Sequence, residues 1–191
     1  MADTTVIQAV KPRPAPKRFV RNQVPQHILD DPDLKAALSV LPANYSFEVQ
    51  KTVWRLRQAK VRCLALQFPE GLLLYATSLS DIFQTFAGVE DVVILGDVTY
   101  GACCVDDYTA ASLGADFLVH YGHSCLVPVD VTGVPCLYVF VDIKFDVAHL
   151  CDSVRHNFPP GTNLALAGTI QFASAIQEVR ESLGGDEPSL S

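Results

Sequence analysis

The chain is predicted to be an α/β protein: a parallel sheet flanked by helices on both faces, making one full domain and the start of a second. Three observations lead there. Near-continuous apolar runs of strand length recur at 61–68, 92–95, 117–121, 134–141 and 164–170, the pattern of strands buried on both faces. Segments with helical spacing of apolar residues separate them. Loops rich in glycine and polar residues follow the first three runs: Pro69-Glu70-Gly71, Gly96-Asp97 and Gly122-His123-Ser124. Hydrophobic residues make up 49% of the 191, enough for a sizeable core and for one ordinary domain plus part of another.

Residues 1–26 carry four prolines and little apolar periodicity, and set Lys11, Arg13, Lys17, Arg18 and Arg21 against Asp3 alone. They read as a disordered basic tail. The chain as a whole has a formal charge of −7, which argues against general binding to nucleic acid or membrane surfaces. No apolar segment near Met1 resembles a secretory signal. No run approaches the roughly 20 apolar residues needed to cross a bilayer. The expected location is cytoplasmic.

Order is expected from about residue 28. Leu34, Ala37, Leu38 and Leu41 share one side of a short helix over 33–41. Asn44-Tyr45-Ser46 offers N-cap chemistry to a second helix over 47–60, with Trp54 as a core or interdomain anchor. The α/β alternation follows: strand 61–68, helix 72–86, strand 92–95, helix 106–113 closed by Gly114, strand 117–121, strand 134–141, helix 145–158, strand 164–170 and helix 172–183. The first α/β domain, with its helical lead-in, is expected over 27–141. Residues 142–183 open a second, incomplete one, and 184–191 form a tail.

Six cysteines in a cytosolic chain are not a disulfide framework. No C-x-x-C spacing occurs, so neither a zinc ribbon nor a thioredoxin-like motif is supported. P-loop and G-x-G-x-x-G fingerprints are absent as well. Cys63 and Cys136 lie inside strand-like runs and are read as packing residues. Cys125 and Cys151 fall in a loop and in a helical pattern, and their spacing assigns them nothing.

Chemistry is expected at one edge of the sheet. Parallel strands present their carboxyl ends together, and ligands of open α/β sheets bind there. Three loops should gather at that edge: 67–71 with Glu70 and Gly71, 99–104 with Tyr100, Gly101, Cys103 and Cys104, and 120–125 with His120, His123, Ser124 and Cys125. Each residue also has a plainer reading. Glu70 would cap the following helix, the histidines would orient their loop, and Cys104 and Cys125 would pack. Asp106 and Asp107 would sit at a helix N-terminus.

The stretch GDVTYGACCVDDYTAASLGADFLVHYGHSCLVPVD resembles the first-subunit family of diphthamide synthases, the 2-(3-amino-3-carboxypropyl)histidine synthases. The resemblance extends to NQVPQHILDDPDLKAALSVLPANYSFEVQKTVWRLRQAK and LYVFVDIKFDVAHL. It implies three similar α/β domains, each giving one cysteine to a [4Fe-4S] cluster. Cys103, the first cysteine of YGACC, matches the family's ligand; the other two would lie outside these 191 residues. In that family an electron donor reduces the cluster. S-adenosylmethionine is then cleaved to a 3-amino-3-carboxypropyl radical, which attacks a histidine of translation elongation factor 2. A homologous second subunit completes a heterodimer. Two readings follow: a subunit of this radical transferase, or a truncated, catalytically inactive fragment serving as an interaction module for the partner subunit.

Overall fold

A computed structural model describes residues 23–96, 105–122 and 127–184. Of the predicted tails at 1–26 and 184–191, residues 1–22 and 185–191 lie outside them, while Gln26 already belongs to the first helix. Two short helices come first, α1 (Gln26–Leu29) and α2 (Pro32–Leu38). Asp31 starts α2, its Oδ1 accepting from the backbone N–H of Asp33 (3.0 Å) and Leu34 (3.1 Å), with Pro32 at the position where a missing N–H costs nothing.

The N-cap expected at Asn44-Tyr45-Ser46 does not form. Tyr45 and Ser46 instead make a two-residue strand, β1 (Tyr45–Ser46). Helix α3 (Val49–Ala59) begins after Glu48, whose backbone is left-handed and whose side chain caps nothing. A distant strand thus claims the backbone that local capping chemistry would have used. Val49, Thr52, Val53 and Leu56 form the buried stripe of α3, at the spacing of one helical face. Trp54 is half-buried against the same core.

Strand β2 (Cys63–Gln67) is buried from Leu64 onward. The helix expected over 72–86 is two pieces: a 3₁₀ turn at Glu70–Tyr75, then α4 (Ala76–Ala87), closed by Gly88 at φ 73°. Strand β3 (Asp91–Ile94) follows, then α5 (Asp107–Ser112), β4 (Phe117–Tyr121) and β5 (Cys136–Val139). These four strands form one parallel sheet in the order β3-β2-β4-β5. The α/β class and the parallel sheet agree with the sequence reading.

Leu64, Leu66, Phe68, Phe117, Val119, Tyr121 and Val139 belong to the larger core, with the apolar sides of α3 and α4. Ala65, Leu95 and Leu118 belong to a smaller one with Ala110 of α5, and Cys63 and Cys136 are packed at its margin. Period-two alternation along each strand assigns the two sets to opposite faces.

Beyond β5 the chain passes Val141, buried with φ at +46°, a strained setting for a β-branched residue. Strand β6 (Asp142–Ile143) then pairs antiparallel with β1, and α6 (Val147–Asn157) starts under an Asp146 cap. Cys151 is buried in α6. After a 3₁₀ turn at Ile170–Phe172, α7 (Ala173–Leu183) packs against α6. The run at 164–170, expected as a fifth strand, joins no ladder among the described residues. A strand exists through its partner's hydrogen bonds, and here no neighbour offers them. Leu164 and Leu166 remain 43% and 40% exposed.

Candidate functional site

The strand order places the candidate site. From β2 the chain moves to β3 on one side, while from β4 it moves to β5 on the other. The connections leaving the carboxyl ends of the neighbouring strands β2 and β4 therefore diverge, the topology at which ligands of open α/β folds bind.

Gln67 ends β2 and His120 is the next-to-last residue of β4; they are register partners. Both are buried, His120 completely. Gln67 Oε1 lies 2.8 Å from His120 Nδ1 and also accepts from the backbone N–H of Asp106 at 3.1 Å. The His120 ring meets Tyr138, its register partner on β5, edge to face at 5.5 Å. Tyr138 in turn donates its hydroxyl to the Val127 carbonyl at 2.8 Å. A polar row, Gln67–His120–Tyr138, thus crosses the carboxyl edge on the α5 face of the sheet. A buried polar group is costly unless hydrogen-bonded, and Gln67 Oε1, His120 Nδ1 and the Tyr138 hydroxyl are each so bonded.

The three loops expected at this edge fare differently. Leu95 N–H donates to Leu66 O at 2.9 Å and Gly122 N–H to Val139 O at 2.8 Å, so the chain leaves β3 and β4 in register with the sheet. Gly122, at φ +91°, lies so close to the Pro69 turn that a Cβ there would stand 2.7 Å from Pro69 Cγ. The 67–71 and 120–122 segments are therefore in direct contact. Tyr100, Gly101, Cys103, Cys104, His123, Ser124 and Cys125 lie outside the described residues.

Glu70 is exposed in the 3₁₀ turn and makes no cap there, since Pro69 stands in that position without a side-chain hydrogen bond. Gly71 is exposed beside it, with open space around its α-carbon. Asp106 caps α5, its Oδ1 accepting from Thr109 N–H at 3.1 Å. Asp107 Oδ2 accepts from Gly133 N–H at 2.6 Å, tying the segment after Val127 to the start of α5. From the later part of the chain, Gln171 donates its side-chain amide to the Gly122 carbonyl.

Sequence reasoning passed over Gln67 and Gln171. Gln67 left one signal, a polar residue at the end of the apolar run CLAL. Among the described residues no group of three or more His, Cys, Asp or Glu side chains could hold a metal ion. Nor is any helix there long and apolar enough to cross a membrane.

A protein-family model described as "Putative diphthamide synthesis protein" matches residues 68–189. The chain belongs to the diphthamide synthesis family. Its relatives named 2-(3-amino-3-carboxypropyl)histidine synthase subunit 1 include one from Danio rerio, 55% identical over 97% of this chain and 49% of that protein. One from Homo sapiens is 57% identical over 88% of this chain and 39% of that protein, and one from Gibberella zeae is 55% identical over 95% and 39%. The chain spans half the length or less of these relatives.

Two crystal structures share the fold of this diphthamide-family chain. Dph2 from Pyrococcus horikoshii aligns with a TM-score of 0.61 at 24% identity, over 73% of this chain and 40% of that one. Dph2 from the same source with a 4Fe-4S cluster aligns with a TM-score of 0.59 at 22% identity.

Proposed function

We propose that this chain is part of a subunit of the S-adenosylmethionine-dependent 3-amino-3-carboxypropyl transferase that modifies a histidine of translation elongation factor 2, the first step of diphthamide synthesis. The supporting observation is 55–57% identity to subunit 1 synthases across nearly the whole chain. The divergence of the connections at the carboxyl ends of β2 and β4 supports a site at that edge.

In this reading Cys103 contributes one thiolate to a [4Fe-4S] cluster, since soft thiolates suit iron and sulfide. When bound, the cluster supplies the single electron that cleavage of a sulfonium requires. The protein's own task is to place donors and exclude water. Here the Gln67–His120–Tyr138 row lies along the carboxyl edge and Glu70 is exposed in the turn that follows β2. Tyr100, Gly101, His123 and Ser124 are assigned to the surroundings of cofactor and substrate. Residues 27–141 make the first α/β domain and 142–183 the opening of a second. A homologous second subunit, elongation factor 2 and an electron donor are the partners, in the cytoplasm.

A second reading is an interaction module for the partner subunit without transfer activity. Cys103→Ala in the longer protein tests the first. It is expected to abolish S-adenosylmethionine-dependent modification of elongation factor 2, whereas Cys63→Ala costs mainly stability. Undiminished modification and iron content in Cys103→Ala would reject the assignment of this thiolate.

A further inference from the structure

The donor and acceptor roles around Gln67 can be worked out from one fixed point. A backbone N–H only donates, so the Gln67 atom facing Asp106 N at 3.1 Å must be the amide oxygen. That same oxygen lies 2.8 Å from His120 Nδ1. It carries no hydrogen, so Nδ1 must bring the proton. Nδ1 of His120 is thereby held protonated, so in the neutral ring Nε2 is the acceptor nitrogen. Buried imidazoles oriented in this way, one nitrogen donating to a fixed acceptor, are how proteins commit the other nitrogen to a task.

We infer that Gln67 is a positioning residue of the carboxyl edge: one oxygen sets the tautomer of His120 and pins Asp106, where the cysteine-bearing loop rejoins the fold. This rests on the reading of that edge as the reaction site. Three observations carry it. Gln67 and His120 face each other on β2 and β4, the two strands whose connections diverge. Both side chains are buried, so water does not compete for the shared oxygen. And Asp106 itself caps α5 through its side chain while its backbone N–H goes to Gln67, so losing the acceptor disturbs the start of the helix as well.

Two substitutions in the full chain test it. Gln67→Met keeps the length of the side chain and removes the acceptor; Gln67→Glu keeps the acceptor. Nitrogen-15 NMR of the histidine rings, with His120 assigned by His120→Gln, is expected to show Nδ1 protonated and Nε2 bare in the parent chain near neutral pH. Gln67→Met is expected to lose that fixed pattern and to speed exchange of the Asp106 amide about tenfold or more, the factor that a buried donor without an acceptor implies. Gln67→Glu should keep the Asp106 amide close to parental protection.

An Nε2–H tautomer in the parent chain would overturn the inference. So would parental Asp106 exchange in Gln67→Met, or exchange in Gln67→Glu as fast as in Gln67→Met. If Gln67→Met fails to fold, the parental tautomer and the Gln67→Glu exchange still decide. None of these readings depends on transfer: undiminished modification by the longer protein carrying Cys103→Ala would reject the proposed role of that thiolate and leave the tautomer to be judged by itself.

Discussion

Gly122 stands where two loops of the carboxyl edge meet. Its φ of +91° lies in the region that glycine enters freely and other residues enter under strain, and a methyl group would press into the stiff ring of Pro69. Gly122→Ala is therefore expected to destabilise the chain by about 1–3 kcal/mol, measured as a lower urea midpoint. Gly71→Ala is the control, since nothing lies within 4 Å of the position its Cβ would take. The residue before Gly122 makes a different prediction. Tyr121 is fully buried and stacked on Phe68 at 4.7 Å, and its hydroxyl has no hydrogen-bond partner among the described residues. Thr52 stands near it and eases its ionisation, but the Thr52 hydroxyl donates to the Glu48 carbonyl. Burial therefore dominates and pushes the phenol well above its ordinary range. Above about pH 10 the unfolded chain loses this proton while the folded chain keeps it, so stability falls as pH rises by up to about 1.4 kcal/mol per pH unit. Tyr121→Phe should flatten that fall in urea midpoints taken from neutral to strongly alkaline pH. At neutral pH it should cost no more than about 1 kcal/mol, because the hydroxyl it removes is unsatisfied.

At the scale of elements, strands β2 and β4 are each paired on both sides and buried on both faces. Residues 162–169 have apolar side chains of strand character and no ladder. Opening free energies follow such differences in burial and pairing. Amide exchange is thus expected to be slowest at Leu64–Leu66 and Phe117–Val119 and fast across 162–169. Equal protection in the two sets would contradict the unpaired state of 162–169. The short β1–β6 pair belongs with the weaker elements by length, though Val141 and Phe47 beside it are buried. The left-handed backbone at Val141 is held because its side chain is enclosed, the usual way a packed structure sustains local strain.

Across the whole molecule, apolar surface is left on the later part of the chain: Phe145, Phe158, Leu164, Leu166 and Ile170 are all exposed. Phe145, Leu166, Gly168, Phe172 and Ile176 line an apolar cavity of about 380 Å³ there. In the proposed function Cys103 is one ligand of a cluster that takes three, and no other metal-holding group exists among the described residues. The 191-residue chain by itself is therefore expected to bind iron and sulfide well below one cluster per chain after anaerobic reconstitution, and to transfer nothing. A stoichiometric cluster held by this chain would show that other thiols within it serve as ligands.

What the sequence determined by itself was whatever depends on neighbours along the chain. Buried runs such as 61–68 and 117–121, the stripe of α3, the stop at Gly114 and the aspartate that opens α5 each follow from spacing and local hydrogen bonding. YGACC drew attention to Cys103 through resemblance, which needs no coordinates. The tertiary structure alone decided what depends on distant partners. Tyr45 and Ser46 became a strand instead of a cap because Asp142 and Ile143 lie beside them. The run at 164–170 failed to become one because nothing does. Gln67 read as an unremarked polar end to a strand until strand order set it against His120, 53 residues further on. Apolar periodicity states which face of a segment is buried; only the closed arrangement of the sheet states which polar group that burial forces it to meet.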